Sequence, residues 1–204
     1  MERLSEIIFG LIMVLTFTCS FSAATSGRAE VREMLIGAIG CNLAWGIIDA
    51  LMYLMNSLGM RGQSLLSLKR IQEGNAAEGR GVIAKALPPL VAANLREEEL
   101  EAVRQRLAAI PEPPERAGLR PEDWKGALAV FLLVFLSTFP VIIPFFLVHD
   151  PARALRLSNG IALFLLLYSG YRLGKYALRS PWGTALAMAA IGIAVVAGTI
   201  ALGG

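Results

Sequence analysis

Apolar residues in this chain gather into long unbroken runs instead of recurring at the spacing of a surface helix. A helix crossing a hydrocarbon layer about 30 Å thick needs about 20 such residues. Five runs approach that length, at residues 7–25, 34–58, 126–148, 158–178 and 182–204. Between the second and third, residues 60–125 hold most of the charge and six of the ten prolines. The pattern predicts an all-α membrane protein with five transmembrane helices and a helical insert between helices 2 and 3. The expected domains are 1–59 (helices 1 and 2), 60–125 (insert) and 126–204 (helices 3 to 5).

Finer patterns add detail. The run RGQSLLSLKRIQEG reads as an amphipathic continuation of the second segment into water. LREEELEAVRQRLAAI (95–110) has acidic residues in its first turn and basic ones later. Leu100, Val103, Leu107 and Ile110 fall on one face, so a helix is expected there. Pro121, followed by Glu122 and Asp123, marks a helix start. Pro140 and Pro144 sit one turn apart in the third segment and remove two backbone donors. Such a break is tolerated in a membrane only where neighbours or a cavity re-satisfy the freed carbonyls. Gly170 and Gly174, and the ladder Ala190, Ala194 and Gly198, predict close helix contacts. The first run also fits a signal peptide, with small residues at Ser22 and Ala24.

Composition agrees with a membrane protein: 55% of residues are hydrophobic, 17% are charged, and mean hydropathy is +0.59. Both cysteines, Cys19 and Cys41, lie in apolar runs, so no disulfide framework is implied. The single histidine, His149, excludes a multi-histidine metal cage. No Walker motif, nucleophile elbow, HExxH or CxxC pair is present, so neither an enzyme nor a bound cofactor is expected. No nucleic-acid partner is expected either. Placing the N-terminus inside puts fifteen of the 19 Lys and Arg residues on the cytosolic side: Arg3, eleven from Arg61 to Lys125, and Arg172, Lys175 and Arg179. The positive-inside rule then sets the insert in the cytosol and the C-terminus outside, in a membrane of the bacterial inner-membrane type.

The candidate chemistry centres on Asp49, the one acidic residue deep in an apolar run. A carboxylate there normally faces a bundle interior, a cavity or a partner. Asn42, Gly46, Asp49, Tyr53 and Asn56 share one helical stripe, with Met52 beside Asp49 at i+3. A weaker stripe, Met13, Thr16 and Ser20, lies on the first segment. A carboxylate, an amide oxygen and thioether sulfurs suit a divalent transition metal better than Mg²⁺ or Ca²⁺. The bland reading is that Asp49 is protonated or hydrogen-bonded and only fixes helix register, and that Met13 and Met52 are packing residues. Glu97, Glu98, Glu99 and Glu101 read either as a solvated helix start or as a cation site. His149 and Asp150 could hold a metal or gate an exit.

Several stretches resemble the vacuolar iron transporter (VIT1/CCC1) family. SEIIFGLIMVLTFT is similar to its first helix, GAIGCNLAWGIIDALMYLM to its second, and FPVIIPFF to its proline-containing third. The last helix, with Gly183, Gly192 and Gly198, is similarly glycine-rich. The resemblance implies five helices per chain, a homodimer, and exchange of Fe²⁺ or similar divalent ions, such as Mn²⁺, for protons. It implies metal contacts at Asp49, Asn42, Met52 and Met13, with Met13 where the family's first helix carries an acidic ligand. It also implies a metal-binding insert, whose nearest carboxylates here are Glu97, Glu98 and Glu101. The expected function is proton-coupled export of a divalent transition metal from the cytosol. The alternative is a non-transporting membrane protein of the same fold, acting as an interaction or scaffold subunit.

Overall fold

The computed structural model describes residues 2–19, 28–111 and 114–201, and among these every regular element is a helix. In order they are α1 (Glu2–Cys19), α2 (Arg28–Glu73), α3 (Ala76–Ala86), α4 (Pro89–Ala92), α5 (Glu97–Ala108), α6 (Pro121–Ser137), α7 (Phe139–Leu147), α8 (Pro151–Tyr176) and α9 (Pro181–Ala201). The chain divides into two compact units, Met1–Tyr53 with Lys125–Gly204, and Leu54–Trp124.

In the first unit α1 supplies Ile8, Leu11, Val14 and Leu15 to a core shared with Val141 of α7 and Ala162 and Leu166 of α8. Small residues let the α8–α9 hairpin close. A Cβ on Gly170 would stand 2.9 Å from the Ala185 Cα, and one on Gly174 2.7 Å from the Pro181 Cα, so both glycines are set by backbone approach. This is the contact their spacing predicts. The Ala190–Ala194–Gly198 ladder behaves differently. All three are exposed, and a Cβ on Gly198 would meet nothing. Within the chain α9 packs instead through Ala185, Met188 and Gly192, because these lie opposite the ladder on the helix and face Gly170 and Leu166.

Three of the described helical stretches are long and apolar enough to cross a membrane: Val31–Glu73, Pro121–Leu147 and Pro181–Gly198. They correspond to the second, third and fifth apolar runs. The first run's apolar helix is shorter as described, Glu6–Thr16, and residues 20–25 of that run lie outside the described residues. Helix α8 has 26 residues, but Arg153, Arg156 and Asn159 on one side of its apolar stretch and Arg172 and Lys175 on the other lower its hydropathy. It also begins before the fourth apolar run, because the Asp150 carboxylate accepts from the Ala152 amide and Pro151 fits the first turn.

In the second unit the 95–110 pattern forms α5. Both α3 and α5 open on side chains reaching back to the backbone, Glu78 to the Asn75 amide and Glu99 to the Arg96 amide. Glu101 of α5 accepts from Arg104 on its own helix and from Arg80 of α3, at 2.7 and 3.1 Å. Gly79 admits the Arg104 side chain against α3. Asp123 at the start of α6 accepts from Arg61 through both guanidinium nitrogens and from the Arg120 amide, the signature expected at Pro121.

Two outcomes follow. In α8, Gly170→Ala drives a Cβ into α9 backbone and lowers the melting temperature of the detergent-solubilised protein, at a cost of about 1–3 kcal/mol. Gly160→Ala, where a Cβ meets nothing, stabilises by about 0.5–1 kcal/mol. The second outcome concerns pH. The hydrogen bonds from Arg104, then those from Arg80, hold the Glu101 carboxyl down at about 2. Because the folded value is depressed, its contribution is complete above about pH 4.5 and is lost as pH falls towards 2. An acid titration of helicity in the full chain is therefore flatter across that window in Glu101→Gln than in the parent.

Candidate functional site

Two buried polar residues of the first unit, Asn42 and Thr138, meet where α2 contacts the α6–α7 junction. Pro140 has no N–H, so the carbonyl of Leu136 loses its regular helical donor. The helix breaks one step ahead of that proline: α6 ends at Ser137 and α7 begins at Phe139. Thr138 between them donates its amide to the Phe135 carbonyl, and its own carbonyl takes the amides of Val141 and Ile142. Its side chain is fully buried and accepts a hydrogen bond of 2.5 Å from Nδ2 of Asn42. Asn42 is itself 1% exposed, and its Oδ1 has no hydrogen-bond partner. Ser137 turns its hydroxyl back to the Val134 carbonyl, and Gly10 of α1 lies against both residues.

From Asn42 the α2 stripe descends along α6 in register. Gly46 lies under the Phe131 ring, and Tyr53 lies against Gly126, where a Cβ would collide with its hydroxyl. Asp49 falls between these two contacts. The facing stretch of α6, residues 126–136, reads GALAVFLLVFL and has no side chain able to donate a hydrogen bond. Accordingly Asp49 Oδ2 is buried and without a partner. Leaving such a group unsatisfied costs about 1–3 kcal/mol, more where it is charged.

The expected site residues therefore do not form one cage. Asn42 and Asp49 are two helical turns apart, about 10 Å along the axis, too far for both to ligate one ion directly. Met52 stands next to Asp49 in the helix but is 60% exposed. Met13 belongs to a different level of the bundle. Gly10 touches Val134 and Ser137, and Leu15 shares a cluster with Val141, so α1 rises beside α6 and α7 and Met13 lies near the height of Thr138. Thr16 donates to the Ile12 carbonyl at 2.8 Å, and Ser20 lies outside the described residues. Asn56, at the end of the α2 stripe, is exposed.

In the second unit Glu97 and Glu98 are exposed in the first turn of α5, where the helix dipole favours anions. Glu101 is committed to its two arginines. Among the described residues no three His, Cys, Asp or Glu side chains gather as a metal site. His149 lines a cavity near the α7–α8 junction, while Asp150 caps α8 and pairs with Arg153.

Two polar residues escaped the sequence reading. Thr138 had a usable signal, since Ser137 and Thr138 are polar residues set directly before the first of two prolines in an apolar run. Ser158 is fully buried in the α8 stripe Ala154–Ser158–Ala162–Leu166, and its hydroxyl has no partner. Helical serines usually bond their own i−4 carbonyl, as Ser64 does to Met60. Nothing in the sequence distinguishes Ser158 from such a case.

Long apolar helices, one of them broken at paired prolines, with unsatisfied polar atoms buried in the bundle, define a helical integral membrane protein. The VIT family model matches residues 68–204, two thirds of the chain, and the protein belongs to that family. Membership places it among membrane metal-ion transporters by class. The matched region includes Thr138 and Ser158 but not Met13, Asn42, Asp49 or Met52. No curated protein matches the chain.

The Asn42–Thr138 bond sets the level of the helix break, so Thr138→Val, which strands the Asn42 amide, destabilises the protein by about 1–3 kcal/mol. Asn42→Leu combined with Thr138→Val recovers part of that loss. The check is a double-mutant cycle on thermal unfolding in detergent, with an expected coupling of about 0.5–3 kcal/mol.

Proposed function

We propose that the chain carries a divalent transition-metal ion, iron or manganese in type, across its membrane in exchange for protons, exporting it from the cytosol. The observation that carries this reading is the unpartnered Asp49 carboxylate oxygen, buried against an apolar stretch of α6 two turns from a broken helix. A protein keeps such a costly group where it has a task. In this proposal five spans cross the membrane, α1, the first part of α2, α6 with α7, α8 and α9. The N-terminus and the residue 60–125 insert are cytosolic, the C-terminus is outside, and the chain works as a homodimer in a bacterial-type inner membrane.

The residues suggest stations along a path more than a single cage. Asp49 offers the carboxylate of the α2 stripe, so a dication pauses there first and a proton takes its place when the ion leaves. Asn42 Oδ1 and the carbonyl freed by Pro140 offer neutral oxygens further along. Met52 and Met13 add thioethers at the two levels, which favours softer dications. One carboxylate binds a dication weakly, which suits release more than storage. Glu97, Glu98 and Glu101 would serve at most as a peripheral attractor for cations.

A second reading, a non-transporting scaffold or interaction subunit of the same fold, draws on the pairing of Glu101 with Arg80 and Arg104 in place of an open carboxylate cluster. The deciding experiment uses vesicles holding the full chain, an imposed pH gradient, and Fe²⁺ or Mn²⁺ outside. Asp49→Asn is expected to lower flux at least about tenfold and to abolish its dependence on the gradient. Flux unchanged in that variant removes Asp49 from the mechanism. No flux and no metal binding in the parent, with a stable partner recovered by pull-down, favours the scaffold.

A further inference from the structure

Where α7 gives way to α8, beside the start of α2, the first unit contains a cavity of about 340 Å³. Its walls include Val31, Leu35, Phe145 and Phe146, and its ionisable lining residues are Arg32 and His149. Among the described residues no carboxylate lines it. Asp150, next to His149, is already engaged: Oδ1 takes the Ala152 amide and Oδ2 pairs with Arg153 at 3.3 Å. Among the described residues no carboxylate pairs with Arg32. Pro151 and Ala154 also border the cavity, so the first turn of α8, already capped by Asp150, abuts it. The surroundings are apolar as well, since Ile36, Phe146 and Leu147 are 59%, 69% and 73% exposed nearby.

This lining is positive and greasy at once. Arg32 repels a dication, and a free inorganic anion gains nothing from the two phenylalanines. A molecule with a negative head and an apolar body satisfies both. We propose that the cavity binds an anionic phospholipid of the surrounding bilayer. The phosphate lies between Arg32 and His149, and the glycerol and upper acyl carbons rest on Val31, Leu35, Phe145 and Phe146. Arginine suits phosphate because its planar fork offers two parallel donors. The proposal does not depend on the transport reading.

The test uses the full chain in detergent, supplied with phosphatidylglycerol or with phosphatidylcholine of the same acyl chains. Retention is read by native mass spectrometry and stabilisation by thermal shift. Phosphatidylglycerol is expected to be retained and to raise the melting temperature, and phosphatidylcholine to do neither. Arg32→Gln, at an exposed position that folding tolerates, reduces phosphatidylglycerol retention about tenfold, the loss expected for one charge-assisted contact. Ala154→Phe fills the cavity with Arg32 intact and abolishes retention, and His149→Gln provides an independent variant should Ala154→Phe fail to fold. Equal retention of the two lipids, or undiminished retention in Arg32→Gln and His149→Gln, overturns the proposal. So does stabilisation by inorganic phosphate alone as large as that by the lipid, which would make this a free-anion site.

Discussion

Inside a hydrocarbon layer no water replaces a backbone hydrogen bond that the sequence removes, and Pro140 removes one. The structure answers by ending α6 at Ser137 and restarting at Phe139, with Thr138 between. Thr138 is then a buried polar residue that needs a partner, and Asn42 of α2 supplies it. That single bond fixes how α2 lies along α6. With Asn42 level with Thr138, Gly46 meets Phe131 and Tyr53 meets Gly126. The height of Asp49, and the lack of any donor opposite it, follow from the same register.

This register explains why a carboxylate sits unpaired where it does. A one-residue rotation would move Asp49 off the α6 face, but it would also take Asn42 from Thr138 and bring bulk in place of Gly46 against Phe131. The α2 helix therefore carries its polar stripe as a unit. The stripe ends in an exposed Asn56 below and a buried Asn42 above, so its polarity runs from solvent-facing to enclosed. A ladder with one charged rung suits the passage of an ion better than its capture. Capture of a dication would require several anionic ligands converging within a few ångströms.

Much of the helical architecture was legible because it rests on local rules. Length and apolarity marked the α2, α6–α7 and α9 stretches. Pro121 with Asp123 marked the start of α6, and the acidic first turn marked α5. The stripe from Asn42 to Tyr53 was readable from its spacing, as was the close approach at Gly170 and Gly174. What a stripe faces is not a local property. Periodicity put Asn42 and Asp49 on one face without revealing that Thr138 awaited Asn42 from ninety-six residues away. The Ala190–Ala194–Gly198 ladder stays exposed within the chain for the same reason: small residues permit close packing on either side of a helix, and only the partner decides which side is used.

The charges of the first unit make one further connection. Its buried, unpartnered carboxyl oxygen, Asp49 Oδ2, lies on the α2–α6 face, whereas the α7–α8 junction gathers Arg32 and His149 around an apolar hollow. If dications move along the α2 stripe as proposed, Arg32 at the junction opposes them as they leave, and Coulomb repulsion in a low-dielectric setting reaches further than in water. A lipid phosphate in the hollow cancels that field without adding a carboxylate that would trap the ion. On the proposed path Asp49 is the group that draws the ion in. With a lipid bound as proposed, neutralisation at the junction would come from the bilayer, so that the charge seen by a departing ion would depend on the lipid present.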